Sequence, residues 1–477
     1  MTATIAAPPQ ASAEGITGDV VRAPFFIRGR LIDADDARHV SRDLGVTFAS
    51  PTLSLDRLVT PRSEPGPLFD VPLTEIIDFL VATGERLDIR TNTHLQECAA
   101  RTAATNPLPR RIIENTYRRP GQFMTRSALE YHVKVQLGDR AFLDGWVERT
   151  DPLGQKSRVR AFPPRLVHMI AGNSPSGAVM TIAQGALVKA VNLIKMPSSD
   201  PFTAVAILRT MAEIDPDHPV VRAFSAVYWR GGDESIERTL YRPQYFDRIV
   251  GWGGGEAINN VIKYLGPGLQ LISFDPKVSI SMIGPEAFAS DAVMDDVAER
   301  TANDVTVFNQ EACLASRFIF AEGPIDRIDR FCGKLLARLA VEREYAAAKA
   351  PPLPADMREE IEVLQAMDDN FRVWGRADGS GMVIRSPEPV DFHPTNKTAN
   401  VVPVASLADA VRYVNVATQT VGIYPDHRKA ELRDRLAGSG AQRIVRLGSA
   451  VRNCLGSPHD AMYPLARFVH WTVDEDI

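Results

Sequence analysis

From residue 165 to 285 the chain alternates between short apolar runs and amphipathic stretches. "RLVHMIAG" and "VNLIKMP" are continuous apolar runs, the pattern of strands buried on both faces of a parallel sheet. "AFSAVYW" and "FDRIVGW" repeat it, and "PSGAVMTIAQGALVKA", "DPFTAVAILRTMAEI" and "DESIERTLYR" between them carry helical patterns. Such alternation predicts a doubly wound parallel sheet. A second alternation begins near residue 290. It runs from the helix "DAVMDDVAERTANDVTV" through "VFNQEACLASRFIF" (307–320) into a long helix over "IDRIDRFCGKLLARLAVEREYAAAKA". The Pro-rich "APPLPADM" then breaks the chain before "ANVVPV", the helix "LADAVRYVNVA" and the strand "QRIVRL". Upstream, "FFIRGRLI" and "LDRLV" suggest strands and loops, and "LTEIIDFLVATGERL", "HLQECAARTAA" and "RRIIENTY" suggest helices. The fold class is α/β, with two tandem doubly wound α/β domains.

Composition narrows the picture without redirecting it. The 477 residues exceed what one core supports, and 45% hydrophobic with 24% charged residues is ordinary for a globular protein. With 54 basic against 59 acidic residues there is no excess that calls for nucleic acid. Four scattered cysteines (Cys98, Cys313, Cys332, Cys454) suit a reducing, cytoplasmic setting and show no metal-ligand spacing, so no metal is expected. No apolar run reaches the length of a membrane span. The opening "MTATIAAPPQASAEG" lacks the features of a signal peptide and reads as a flexible tail.

Four stretches carry residues with chemistry. In "HMIAGNSPSGAVM" a buried strand delivers Asn173 to the edge where open α/β sheets bind ligands, and Ser174 is placed to cap the next helix, whose free amides favour an anion. A plain helix start would look the same. In "IVGWGGGEAINN", Gly253, Gly254 and Gly255 would let backbone approach a ligand, although this is not the GxGxxG fingerprint and a flexible connection reads alike. "LIKMPSSD" ends a strand with Lys195, which reads equally as a solvated strand end. Cys313 follows polar residues and precedes small ones, a loop-like setting that leaves room around the sulfur of a nucleophile. Cys332 sits on an apolar helix face and reads as core; Cys98 and Cys454 are expected to be core as well.

These stretches together resemble the aldehyde dehydrogenase superfamily. "FNQEACLASR" is similar to its nucleophile motif, "IAGNSPSGA" falls where the family carries Pro-Trp-Asn-Phe-Pro, and "NLIKMPSSD" and "GWGGGEA" resemble its Lys-Pro-Ser and Phe-Thr-Gly-Ser turns. Two departures stand out. Ser273, in "SFDPKVS", takes the place of the glutamate that activates the deacylating water, and "NKTAN" replaces the Glu-x-Phe-Gly-Pro motif. With "NQEAC" and the tail "SPHDAMYPLARFVHW", where relatives read Asp-Gly and this chain reads Asp460-Ala461, the sequence is similar to the LuxC-type acyl-CoA reductases.

After the flexible tail (1–20) read from composition, the resemblance implies a nicotinamide dinucleotide-binding domain (21–288), a catalytic domain (289–445) and a C-terminal return (446–477), with the active site between the domains. It also implies NAD(P)H-dependent reduction of a fatty acyl-CoA or acyl-carrier-protein thioester to the aldehyde. Cys313 would be the nucleophile and Asn173 an oxyanion donor. Ser174, Lys195, Ser198 and the three glycines would hold the cofactor. Ser198, standing near a position where NAD-preferring relatives carry a ribose-binding glutamate, favours NADPH, with NADH as the alternative and Asp200 as another ribose ligand. The same residues would serve a CoA-acylating aldehyde dehydrogenase running oxidatively, and a silent scaffold subunit is the alternative of another class. The family implies a homo-oligomer, although no oligomerisation hairpin stands out in the pattern. An acyl-transferase or ligase would be the partner that supplies the acyl group.

Overall fold

Five parallel strands make the first sheet, in the spatial order Gln270–Phe274, Arg248–Trp252, Arg165–Met169, Val191–Lys195 and Phe224–Val227. The computed structural model describes residues 20–118, 120–173, 176–367, 370–452 and 454–475. The central strand is the first of the five in sequence, and the chain winds outward from it in both directions. The strand order therefore reverses beside Arg165–Met169, and the crevice at the carboxyl ends there is the expected ligand position. In the ladder Met169 lies opposite Lys195 and Gly251, and Trp252 opposite Phe274, so all of these line one edge. The sheet is buried on both faces, with Leu166, Val167 and Ile194 fully inaccessible, as the unbroken apolar runs required. Phe25–Ile27 and Arg30–Ile32 extend it with antiparallel pairing.

The second sheet runs Arg372–Arg376, Gly381–Arg385, Thr398–Val404, Ser316–Glu322, Val278–Ile283, Thr418–Tyr424 and Arg443–Arg446, all parallel except the first. Val278–Ile283 stands near its middle, so the chain changes sheets between Phe274 and Val278. That is ahead of the 288/289 division suggested by the sequence.

A third, antiparallel sheet pairs Val147–Thr150 with Lys156–Phe162 and the latter with His470–Glu475, so the C-terminus returns to the first half of the chain. This hairpin was not evident in the hydrophobic pattern, because most of its residues face solvent on one side.

Two segments depart from their predicted structure. Leu55–Arg57 in "LDRLV" is a turn of 3-10 helix rather than strand. The long helix is Ile325–Leu339 and ends eleven residues before the predicted Ala350. Tertiary capture overrides the helix-forming composition of residues 340–350. Arg111 donates to the carbonyls of Arg343 (3.0 Å) and Ala346 (2.8 Å), and Lys397 donates to those of Leu339 (3.1 Å) and Ala348 (3.0 Å). No helix among the described residues is long and apolar enough to cross a membrane.

Candidate active site

The loop before Cys313 holds Phe308, Asn309 and Gln310 in succession at φ of 51°, 52° and 74°. Left-handed backbone at three non-glycine residues costs roughly 1–2 kcal/mol each and persists only where surroundings enforce it. The enforcing contacts are those of the "FNQ" side chains. Gln310 Nε2 donates to Ser316 O (3.1 Å) and Thr398 O (2.7 Å), and its Oε1 accepts from Thr398 N (3.0 Å). Asn309 Oδ1 accepts from Ala347 N at 2.9 Å. Val307, Phe308, Ala312 and Ala315 pack into the core of the first half of the chain. The loop thus hangs Cys313, half-buried, at the amino ends of the second sheet's strands, facing the carboxyl edge of the first.

Three residues fix the cysteine. Ser279 Oγ donates to its carbonyl at 2.7 Å. Asn173 Nδ2, reaching over from the first sheet, donates to the Glu311 carbonyl at 2.9 Å. Gln419 Nε2 donates to the sulfur at 3.1 Å and to Asp460 Oδ1 at 3.2 Å. Burial raises the thiol's pKa, the Gln419 hydrogen bond lowers it and the Asp460 charge raises it again, leaving it above its ordinary value. Asp460 itself is presented by a tight turn in which His459 and Met462 exchange backbone hydrogen bonds of 2.9 and 3.1 Å. Asp460 and Ala461 hold φ of 46° and 60° there, so both central residues of this hairpin are left-handed. His459 meets the rings of Trp252 and Phe274 edge-on (5.0 and 5.2 Å), and those two stack on each other at 3.7 Å.

The edge of the first sheet holds most of the residues singled out for a cofactor. A Cβ built on Gly254 or Gly255 meets nothing within 4 Å, so the start of helix Gly255–Ile262 faces open space, while Gly253 packs near Ala257. Lys195 is half-buried with Nζ 5.4 Å from the Trp229 ring, and burial pulls its pKa down to about 8. Ser198 Oγ accepts from the backbone N–H of Arg42 at 3.1 Å, bringing an N-terminal turn with an exposed guanidinium to this edge. Open amides, a lysine and a hydroxyl on a sheet's carboxyl edge fit a dinucleotide phosphate and ribose. Ser174 lies outside the described residues. Among the described residues no cluster of potential metal ligands occurs.

Several expectations need correction. Asp200 is no ribose ligand: it is buried and accepts from Thr203 N (3.0 Å), Thr203 Oγ1 (2.5 Å) and Phe202 N (3.3 Å), capping its own helix. Cys454 is exposed in a loop rather than in the core, whereas Cys98 and Cys332 are buried. Ser273 does stand at a strand end without a carboxylate of its own, but its hydroxyl hydrogen-bonds Asp275. Gln419 was not singled out from the sequence, and Asp460 was singled out without a role. The one signal available was the "SPHDAM" tail, read as a family feature without a place in the site.

Residues 68–471 match the LuxC family, described as acyl-CoA reductase. The long-chain acyl-protein thioester reductase of Vibrio harveyi is 27% identical over 464 residues, covering 95% of this chain and 93% of that one. The protein of the same description from Photorhabdus luminescens is 31% identical over 363 residues, 72% of this chain and 69% of its own. Among solved structures, lactaldehyde dehydrogenase from Escherichia coli superposes with a TM-score of 0.70 at 14% identity, covering 96% of this chain and 99% of its own. At that identity the likeness is one of fold, that of the aldehyde dehydrogenases.

Proposed function

Since the chain belongs to the LuxC family of acyl-CoA reductases, we propose that it reduces a fatty acyl thioester to the aldehyde through an acyl-Cys313 intermediate. The observation that carries this reading is the half-buried Cys313, hydrogen-bonded by Gln419 and lying across the cleft from Asn173. The thiolate of Cys313 attacks the thioester carbonyl. The second amide hydrogen of Asn173 and the backbone N–H of Cys313 receive the developing oxyanion, each donor worth about 3 kcal/mol in comparable sites. The acyl group passes to Cys313 and the donor departs as a thiolate. Hydride for the acyl-Cys313 thioester is the chemistry a reduced nicotinamide supplies when bound. Collapse of the resulting thiohemiacetal releases the aldehyde and returns the Cys313 thiolate.

Two features of the chain support reduction over hydrolysis. Ser273 cannot take a proton from water at neutral pH, and the neighbouring Asp275 carboxylate is engaged by Ser273 and lies 3.8 Å from Lys277. The acyl donor is CoA or a protein thiol, with an acyl-transferase or ligase supplying the acyl group. For the cofactor we read Gly253, Gly254 and Gly255 as the pyrophosphate site and Lys195 and Ser198 as the ribose site. Arg42, tethered through its backbone to Ser198 Oγ, is the cation that favours a 2′-phosphate and hence NADPH.

The test is incubation with acyl-CoAs of graded length and NADPH or NADH, with aldehyde measured directly, alongside fluorescence titration of each nucleotide. NADPH should give aldehyde, and Cys313→Ala should abolish it. Arg42→Ala should weaken NADPH binding roughly 10- to 100-fold while leaving NADH binding unchanged. Free acid as the product would refute the reductase reading, and equal loss of both nucleotides would remove Arg42 from the 2′-phosphate.

A further inference from the structure

We propose that the His459–Asp460 turn is a charge-setting device for the Cys313 thiol, acting on it through Gln419. The proposal takes Cys313 as the nucleophile, as in the reading above. Gln419 offers two amide hydrogens, one directed to the sulfur and the other to the Asp460 carboxylate, so the carboxylate fixes the amide's orientation as well as contributing its own field. Asp460 is almost completely buried, with a side chain 4% exposed, where water screens its charge weakly.

His459 Nδ1 lies 3.3 Å from Asp460 Oδ1 but out of line for a hydrogen bond, and this buried nitrogen has no hydrogen-bond partner among the described residues. Other charged groups also face the thiol. Arg443, on the strand beside Gln419, is fixed on the Ala450 carbonyl at 2.7 Å, and Arg317, at the foot of the cysteine's own strand, on the Gln310 carbonyl at 2.7 Å. Glu311, two residues before the cysteine, has its pKa raised by burial, against the lowering effect of Arg317 and Arg42 and with a further raising effect from Asp43.

The turn itself is strained in support of this arrangement. Ala461 gains nothing from a left-handed backbone, since it has no polar side chain to hydrogen-bond locally, yet it holds φ 60°. Strain of this kind is retained where surrounding structure enforces it, and here it places Asp460 against Gln419 and His459 against the Trp252–Phe274 stack.

The test is the rate of iodoacetamide alkylation of Cys313 in the full-length protein from pH 6 to 10, followed peptide by peptide so that the exposed Cys454 is counted separately. Gln419→Leu should slow alkylation at pH 7.5 about tenfold and move the titration midpoint up, because the thiolate loses a hydrogen bond. Asp460→Asn, which keeps a side chain suited to this turn, should act oppositely: a lower midpoint and a rate several-fold higher at pH 7.5. Rates that change with no shift in midpoint, or Gln419→Leu and Asp460→Asn midpoints moving in the same direction, would overturn the proposal. Should Gln419→Leu fail to fold, the direction of the Asp460→Asn shift decides alone. Alkylation needs neither acyl donor nor nucleotide, so shifted midpoints in a protein that forms no aldehyde would sustain this inference while the reductase reading failed.

Discussion

One amide hydrogen of Asn173 goes to the Glu311 carbonyl, which pins the side chain over the cysteine loop and leaves its other hydrogen for the oxyanion of the proposed reaction. A donor used mainly in the transition state affects turnover more than substrate binding. Asn173→Ala should therefore lower kcat by roughly 10²–10³ with a much smaller change in KM; steady-state kinetics with acyl-CoA would show it, and a pure KM effect would assign Asn173 to ground-state binding. Cys313 and Asn173 could be singled out from sequence because each carries recognisable chemistry beside small residues at a strand end. Gln419 could not, since it lies 106 residues from the cysteine inside an unbroken strand and no local pattern marks it. Asp460 stood out in sequence only as part of the tail "SPHDAMYPLARFVHW", with no role attached. Asp200 misled for the opposite reason: a carboxylate two residues from Ser198 looks available until burial and three donors from its own helix start claim it.

Among the elements, the turn carrying Asn173 is braced from beneath. Asn106 Nδ2 donates to Gly172 O at 2.7 Å and to Ser199 O at 3.2 Å, tying together the ends of two neighbouring strands. A Cβ on Gly172 would fall 2.0 Å from Ser199 Oγ, so a side chain there would force Ser199 to move. Asn106→Ala should loosen the turn and lower kcat about tenfold without altering alkylation of Cys313, which belongs to the other sheet; reduced alkylation would mean that the variant perturbs the whole cleft. The His459–Met462 turn offers a stability test. Ala461→Gly should raise stability by about 1 kcal/mol in a denaturant titration, because glycine adopts φ near 60° without strain. The parallel strands were legible because burial on both faces leaves unbroken apolar runs. The hairpin Val147–Phe162 was not, because one of its faces meets water, and the false extension of helix Ile325–Leu339 arose because Arg111 and Lys397 capture backbone carbonyls that no local pattern anticipates.

At the scale of the whole molecule, acid should loosen the fold in two stages. His168 is fully buried beside Asn192 (2.9 Å), and burial drives its pKa down to about 4. The folded state binds that proton less well than the unfolded one, so stability is intact above pH 6.5 and declines as pH falls toward 4, by about 3 kcal/mol. Asp247 then loses its charge at lower pH. Burial alone would raise its pKa, but hydrogen bonds from His470, the Arg165 amide and Arg62 outweigh it and hold it at about 2. Its contribution is present above pH 3.8 and is lost below, as the bond between the C-terminal return and the first sheet weakens. Thermal unfolding measured from pH 8 to 3 should show both declines, and Asp247→Asn should remove only the lower one. In the proposed reaction, the two halves of the chain together would have to keep an acyl-cysteine from water until hydride is available. The direct measurement is intact-mass and peptide analysis of the protein mixed with long-chain acyl-CoA and no nicotinamide nucleotide. One acyl group per chain is expected on Cys313, persisting for many minutes, with little free fatty acid and conversion to aldehyde when NADPH is added. Rapid release of fatty acid with no adduct, or an adduct on another cysteine, would contradict the proposed reaction.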